Sequence, residues 1–127
     1  MQPLSDALDR LDRAWTQVGH LNAVINTPEL RVAYNDALPK VTAFYTELGQ
    51  DERLFAGYRA LAASPAFAVA AAARRRVVDN ALRDFRLSGA ELTPAPKARF
   101  KAVEEELASL SARFADNLLD ATNAFAL

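Results

Sequence analysis

The chain has 127 residues, of which 51% are hydrophobic and 24% are charged, a composition typical of one folded domain. It has no cysteine, which excludes disulfides and thiolate metal sites, and its 15 basic and 16 acidic residues give a net charge of −1. A chain so close to neutrality has no overall field that attracts nucleic acid or an anionic membrane. We therefore predict a single domain over residues 1–127 that recognises any partner locally.

The amino terminus and the longest apolar run give no indication of export or of membrane insertion. Asp6 and Asp9 place negative charge where a signal peptide requires a basic segment. The longest apolar run, residues 66–73, is much shorter than the roughly 20 residues that a membrane-spanning helix needs. We therefore expect a cytoplasmic protein without a membrane partner.

Apolar residues recur at alternating steps of four and three from Leu4 to Ile25, which predicts a first helix of about six turns. Further helix starts are predicted wherever a hydroxyl residue precedes a proline: at Thr27-Pro28, Ser64-Pro65 and Thr93-Pro94. The hydroxyl can cap free backbone amides, and proline lacks an amide that the first helical turn leaves unbonded in any case.

The second predicted helix starts at Thr27-Pro28 and carries apolar residues in helical register from Leu30 to Leu48. Its apolar register continues through Pro39, so we expect a kink at that position and not a break. Gly49 is expected to end the helix in the left-handed conformation. Asp51 then suits the cap of a short third helix, whose apolar residues are Leu54, Phe55, Tyr58 and Leu61.

The fourth predicted helix extends from Pro65 to Leu87 and ends at Ser88-Gly89. Its inward-facing residues are predicted to be Val78, Leu82 and Phe85. The last helix is the longest, because apolar residues keep the same spacing from Phe100 to Phe125, and at 1.5 Å per residue it measures roughly 45 Å. These patterns predict an all-α fold: an antiparallel bundle of about five helices with a long C-terminal helix.

A last helix of this length is longer than the bundle that the other helices can form. We therefore expect its far end, around Leu118, Ala121 and Phe125, to extend beyond the bundle and to be covered by another part of a larger protein. Residues 125–127 also lack the glycine or basic last turn that commonly ends a helix, which indicates a cut element. The isolated chain is accordingly expected to form a homo-oligomer through this apolar end.

Residues that could carry catalysis or bind a metal are few. His20 is the only histidine, and its place at the edge of the first apolar stripe predicts a structural role. A zinc site requires three or four ligands, usually with a histidine or cysteine pair at short spacing, which this sequence lacks. The carboxylates available for acid–base or metal chemistry are Asp6, Asp9 and Asp12, then Glu104, Glu105 and Glu106, and then Asp116 with Asp120. We interpret the first two groups as solvated surface and the last as a pair without a third ligand, so no catalytic, cofactor-binding or metal-binding residue is predicted.

The main basic cluster consists of Arg74, Arg75 and Arg76, followed by Arg83 and Arg86. Asp79 and Asp84 lie at helix-neighbour spacings from these arginines, and no aromatic residue is interleaved among Arg74 to Arg76 for base stacking. We therefore interpret the cluster as a solvated helix face with local ion pairs and expect no nucleic-acid partner.

Several strings of the sequence, in the same order, are shared with a known family. They are Arg13 to Asn26, Thr27 to Arg31, Leu38-Pro-Lys40, Asn80 to Gly89 (Asn-Ala-Leu-Arg-Asp-Phe-Arg-Leu-Ser-Gly) and Asp116 to Asn123 (Asp-Asn-Leu-Leu-Asp-Ala-Thr-Asn). They resemble the amino-terminal helical region of the thimet oligopeptidase group of zinc metallopeptidases. The similarity runs the full length of the chain.

This resemblance implies a parent enzyme whose chemistry lies elsewhere. Members of the family are helical, cytoplasmic enzymes that cut short peptides in a channel between two lobes, with zinc held by a His-Glu-x-x-His helix and a downstream glutamate. That motif is absent here, so the resemblance gives no residue of this chain a catalytic or zinc-binding role. It implies an internal slice of a peptidase that forms part of the channel wall, with the catalytic lobe and short peptides as partners and zinc as the cofactor of the parent. The isolated chain is expected neither to bind zinc tightly nor to cleave a peptide.

Two alternatives stay open at the level of sequence. Arg74 to Arg76, or the face that carries Tyr34 and Tyr45, could touch substrate, although packing is the favoured role for the aromatic residues. The chain could also be a stand-alone helical interaction module that binds a partner helix in a groove. A reading frame that continues into a His-Glu-x-x-His segment distinguishes the peptidase fragment from the module.

Overall fold

The computed structural model describes residues 2–125, of which 86% are helical and none lies in a strand. The prediction of an all-α fold is confirmed, with six helices in the described range instead of about five. The helices are α1 (Gln2–Val24), α2 (Pro28–Gly49), α3 (Glu52–Ala62), α4 (Pro65–Ala68), α5 (Ala72–Leu87) and α6 (Pro94–Ala124). The predicted long C-terminal helix is α6, which has 31 residues.

The helix starts predicted from hydroxyl–proline pairs are all confirmed. Helices α2, α4 and α6 begin at Pro28, Pro65 and Pro94. The Thr27 hydroxyl accepts a hydrogen bond from the amide of Leu30 at 3.3 Å, and the Ser64 hydroxyl accepts one from the amide of Phe67 at the same distance. Thr93 makes no side-chain capping bond, so at α6 the proline alone marks the start.

Helix α2 is continuous through Pro39, as predicted. The prediction that Gly49 ends the helix in the left-handed conformation is wrong. Gly49 is the last helical residue, and Gly89 is the described glycine with a positive φ, at +86°. A Cβ atom on Gly49 would lie 2.7 Å from the Cβ atom of Ser88, closer than two carbon atoms can approach. Glycine is therefore needed at position 49 because the ends of α2 and α5 approach closely, and not because the chain turns there.

The prediction of one continuous helix from Pro65 to Leu87 is wrong. The structure has two helices, α4 and α5, which are separated by residues 69–71. Val69 is 86% exposed, and Ala71 has an extended ψ of 146°. The side chain of Phe67 packs against the core, whereas the alanines that follow it have only methyl groups to bury. The helix therefore breaks at a place where the break exposes little apolar surface that would otherwise be buried.

The buried core of the molecule consists of Phe55, Val78, Leu82 and Ala90. Tyr58, Ala62, Phe67 and Phe85 pack around it. The core joins α3 to α5, with the rings of Phe55 and Phe85 5.8 Å apart between centroids. The predicted inward positions of Val78 and Leu82 are confirmed, and Asp51 caps α3 by accepting a hydrogen bond from the amide of Leu54 at 2.8 Å.

Helix α5 ends at Ser88 and Gly89, as predicted, in a Schellman motif. The amide of Ala90 donates to the carbonyl of Phe85 at 2.9 Å, and the amide of Gly89 donates to the carbonyl of Arg86 at 3.0 Å. The positive φ of Gly89 allows both bonds to form. Because Ala90 is buried in the core and Phe85 packs against it, the motif also fixes how the chain leaves α5.

The chain divides into two compact units, Met1–Lys40 and Val41–Leu127, with the boundary inside α2. In the first unit, the rings of Trp15 and Tyr34 stack at a centroid distance of 4.9 Å and an angle of 5°. The turn between its two helical segments is centred on Asn26, whose φ is +48°. The Asn26 side-chain amide donates to the carbonyl of Asn22 at 2.7 Å, and its oxygen accepts from the Arg31 guanidinium at 2.9 Å. Asparagine tolerates this left-handed conformation, and its side chain bonds both flanking helices.

Candidate functional site

Helix α6 presents two faces that differ in composition and exposure. One face is half-buried and consists mostly of small or polar residues, including Lys97, Lys101, Ala108 and Ala112, together with the apolar Phe100 and Leu119. The other face carries five exposed apolar residues, which we call the α6 stripe: Val103 (43% exposed), Leu107 (56%), Leu110 (47%), Phe114 (70%) and Leu118 (58%). The more apolar side of the helix is therefore the uncovered side. A contiguous apolar surface of this kind is typical of a docking surface.

Two lysines attach the beginning of α6 to the other helices of the second unit. Lys101 Nζ donates to Glu47 Oε1 at 2.6 Å, and Lys97 Nζ donates to Glu52 Oε1 at 2.6 Å. Lys97 also reaches the carbonyl of Gln50 at 3.5 Å, and only 16% of its side chain is exposed. These bonds hold the first two turns of α6 at the junction of α2 and α3.

The electrostatics of this attachment are visible in Lys101. The hydrogen bond to the Glu47 carboxylate raises the pKa of the Lys101 ammonium above its usual 10.5, and the negative charges of Glu47 and Glu105 add to that rise. Desolvation acts in the opposite direction and is outweighed. The lysine therefore stays charged, and the bond stays formed, throughout the neutral range.

The candidate catalytic residues are not brought together. His20 is exposed on α1, so it is not packed in a core, and its structural role stays a prediction. Asp9 pairs with Arg13 one helical turn away, at 2.9 Å. Asp116 and Asp120 each take part in other interactions. Within residues 2–125, no group of three or more His, Cys, Asp or Glu side chains is placed where it could hold a metal ion.

The glutamate run of α6 differs from the sequence interpretation in part. Glu106 is exposed, as expected of a solvated surface, but Glu104 and Glu105 are half-buried. Glu105 acts on Lys101 through its charge. The run therefore contributes to the attachment of α6, and we assign it no chemistry.

The arginine cluster forms local contacts within α5 and with its neighbours. Arg83 pairs with the adjacent Asp84 at 3.0 Å, and Arg86 pairs with Glu91 at 3.6 Å. Local ion pairs therefore form, but neither of these two has the three- or four-residue spacing on which the prediction was based. Arg75 donates to the carbonyl of Ala68 at 3.3 Å, across the break between α4 and α5. Arg74, Arg75 and Arg76 are all exposed, which agrees with a solvated helix face.

The two tyrosines proposed to share a face lie in different compact units. Tyr34 is half-buried and stacks on Trp15. Tyr45 is half-buried and meets Phe44 edge to face, with ring centroids 5.3 Å apart. Both rings therefore pack against an aromatic neighbour within their own unit, which is the packing role favoured from the sequence.

The sequence predicted that the far end of α6 extends beyond the bundle, and Leu118, Ala121 and Phe125 are indeed exposed. The exposure of the stripe from Val103 to Phe114 was not predicted. Residues at this spacing usually face a core, and the sequence contains no signal that distinguishes a covered stripe from an uncovered one. A shallow depression of about 510 Å³ on α2, lined by Pro28, Glu29, Val32, Ala33 and Asp36, was also not predicted.

Among the helices of the described part of the chain, none combines the length and the apolar character that a membrane-spanning helix requires.

These features define a helical domain that holds one apolar helix face outward and, within residues 2–125, assembles no metal-ligand cluster. A family model described as the N-terminal domain of neurolysin and thimet oligopeptidase matches residues 1–97. The chain therefore belongs to the neurolysin/thimet oligopeptidase family, and the matched part is the N-terminal domain of that family.

Curated relatives agree with this assignment. The chain is 42% identical over 120 residues to oligopeptidase A of Haemophilus influenzae and 41% identical over 121 residues to oligopeptidase A of Escherichia coli, which covers 94% and 95% of the chain. It is 36% identical over 125 residues, or 98% of the chain, to a probable cytosolic oligopeptidase A of Arabidopsis thaliana. In each case the match covers 18% of the relative, so the chain spans about a fifth of the length of these proteins.

Proposed function

We propose that this chain is the non-catalytic N-terminal helical part of a cytoplasmic zinc oligopeptidase, in which it forms part of the wall of a channel for short peptides. The observation that carries the proposal is the match of residues 1–97 to the N-terminal domain of a peptidase family. The whole enzyme hydrolyses peptides in a second, catalytic lobe, and this chain limits by size which peptides reach that lobe.

The residues of this chain do not fit the zinc ion of such an enzyme. The sequence has one histidine and no cysteine, and His20 stands alone on the exposed side of α1. No trio of potential ligands is assembled within residues 2–125. A structural or catalytic zinc site needs three or four protein ligands. The metal and its ligands are therefore assigned to the catalytic lobe, and this chain carries no step of the hydrolysis.

The α6 stripe is the surface through which this chain would join the catalytic lobe. It offers three leucines, a valine and a phenylalanine, each between 43% and 70% exposed, and burial of such residues stabilises by roughly 1.5–3 kcal/mol per side chain. In the isolated chain the same stripe is left for self-association. The partners of this domain are thus the catalytic lobe, short peptides in the whole enzyme, and another copy of itself when it is alone.

The proposal is tested with a chimera of the Escherichia coli relative, in which residues 1–127 replace the aligned segment. We expect the chimera to bind zinc, to hydrolyse a short fluorogenic peptide within about tenfold of the parental rate, and to leave a folded protein uncut. Leu107→Glu with Leu110→Glu should greatly reduce this activity because two charges then lie in the stripe. Ala102→Glu with Ser109→Glu, at exposed positions away from the stripe, is the matched control.

Two outcomes contradict the proposal. A folded, zinc-loaded chimera that degrades folded proteins as fast as short peptides would show that these helices do not restrict entry. Cleavage of the fluorogenic peptide by the 127-residue chain alone, abolished by a chelator in material free of host peptidases, would place the catalytic groups in this chain.

A stand-alone interaction module is the second candidate, and the exposure of the α6 stripe is the observation that favours it. Such a module would bind a partner helix along the stripe. The two functions differ in gene context: a reading frame that continues into a His-Glu-x-x-His segment supports the peptidase, and a stop codon directly after Leu127 supports the module.

A further inference from the structure

We propose that the α6 stripe pairs with the same stripe of a second copy of this chain, in antiparallel orientation and in one defined register. The pairing forms in the isolated chain, where no catalytic lobe covers the stripe, and it uses residues of this chain alone, so it does not depend on the channel role. Two observations carry it. The stripe has coiled-coil spacing, and the charges that flank it are complementary to themselves under a two-fold axis.

The spacing of the stripe fits paired helices. The steps from Val103 to Leu107, Leu110 and Phe114 are four, three and four residues, which is the a/d pattern of a heptad repeat. When two such helices run antiparallel about a two-fold axis between residues 108 and 109, Leu107 faces Leu110 of the second copy. Val103 then faces Phe114 of the second copy. Symmetry repeats both contacts and gives four apolar layers. Leucine faces leucine in the two central layers, and valine faces phenylalanine in the two outer layers.

The flanking charges select this orientation. Glu106 and Arg113 lie seven residues apart on the same edge of the stripe, and both are exposed. In the antiparallel register, Glu106 of one copy lies beside Arg113 of the other, and the two-fold axis makes this ion pair twice. A parallel pair would instead set Glu106 beside Ser111 and Arg113 beside Leu118, which yields no ion pair. Charge complementarity therefore favours the antiparallel dimer.

The half-buried side of α6 leaves the stripe free for this contact. The half-buried residues Lys97, Lys101, Ala108 and Ala112 lie about a third of a turn around the helix from the stripe. The lysine bonds that attach α6 to the rest of the second unit therefore do not cover the stripe. The four layers span only about 17 Å of helix, and the buried area is well below the roughly 800 Å² per partner of a stable complex. We therefore expect a weak dimer, with a dissociation constant on the order of 0.1 mM.

Sedimentation equilibrium of the 127-residue chain from about 10 µM to about 1 mM tests the pairing. We expect the mass to rise from 13.9 kDa toward twice that value. Glu106→Arg and Arg113→Glu should each weaken dimerisation by roughly three- to tenfold, because each places like charges side by side, and the double variant should restore it. Asp36→Arg, at an exposed position on α2, makes the same change of charge as Glu106→Arg and should have no effect.

Crosslinking tests the register, because the chain has no native cysteine. A mixture of Leu107→Cys and Leu110→Cys chains should form the mixed disulfide faster than either chain forms its own, since Leu107 faces Leu110 of the second copy and neither residue faces its own counterpart. Circular dichroism confirms that each variant keeps its helix content. A single-chain mass at 1 mM overturns the dimer, and a double charge variant that remains as weak as the single variants, or like-with-like crosslinking, overturns the antiparallel register.

Discussion

At the scale of single residues, two glycines inside helices differ in what surrounds them. A Cβ atom on Gly49 would lie 2.7 Å from Cβ and 2.8 Å from Oγ of Ser88. A Cβ atom on Gly57, in the middle of α3, would meet nothing within 4 Å. Alanine is favoured over glycine in a helix by about 1 kcal/mol. When alanine replaces glycine at each site, the difference between the two changes in unfolding free energy therefore reports the cost of the close approach at Gly49.

We expect Gly57→Ala and Gly49→Ala to change the free energy of unfolding in opposite directions. Gly57→Ala should stabilise by roughly 0.5–1 kcal/mol, because the helix gains propensity and no atom is displaced. Gly49→Ala should destabilise by roughly 1–3 kcal/mol, because the ends of α2 and α5 must separate. Urea unfolding followed by circular dichroism measures both changes. Stabilisation by Gly49→Ala would mean that α2 and α5 do not approach as closely as the structure has them.

At the scale of the helices, the attachment of α6 depends on the charge of Lys101. Its folded-state pKa is raised above the value of 10.5 that it has in an unfolded chain, so its bond to Glu47 contributes stability below that pH. The contribution is lost as the pH rises through the raised pKa, when the ammonium group loses its proton. Because the pair is partly exposed, its contribution is small.

We therefore expect the melting temperature to fall more steeply above about pH 10.5 in the wild-type chain than in Lys101→Met. Below that pH, Lys101→Met should melt at a slightly lower temperature than the wild type, and the two curves should converge at higher pH. Lys40→Met, which removes an exposed lysine, is the control and should leave the pH dependence unchanged. Parallel curves for the wild type and Lys101→Met would show that the bond to Glu47 does not contribute to stability.

The helices also show which features a sequence can predict. The starts at Pro28, Pro65 and Pro94 were predictable because the signals are local: a proline in the first turn at all three, and a hydroxyl cap from Thr27 and Ser64 at the first two. The break after α4 was not, because it depends on Phe67 reaching a core formed by residues distant in the chain. The exposure of Leu118 and Phe125 was predictable because the length of α6 exceeds that of the bundle. The exposure of the stripe from Val103 to Phe114 was not, since the spacing of apolar residues specifies that a face is to be covered and leaves open what covers it.

At the scale of the whole molecule, burial is unevenly divided between the two compact units. All described residues that are buried lie between Thr46 and Ala90, within the second unit. Within residues 3–40 no residue is buried, and the stacked rings of Trp15 and Tyr34 are only half-buried. Since burial of apolar surface is the main source of stability, the helical segments of the first unit are expected to open more readily than α3 and α5.

Hydrogen exchange of the backbone amides, followed by mass spectrometry, measures this difference. Amides of α1 should exchange at least about tenfold faster than amides of α3 and α5. Trp15→Ala should accelerate exchange mainly within residues 1–40, whereas Phe55→Ala should destabilise the second unit by roughly 3–5 kcal/mol and accelerate exchange there. Equal protection of both units, with each variant accelerating exchange throughout the chain, would mean that the molecule unfolds as one cooperative body.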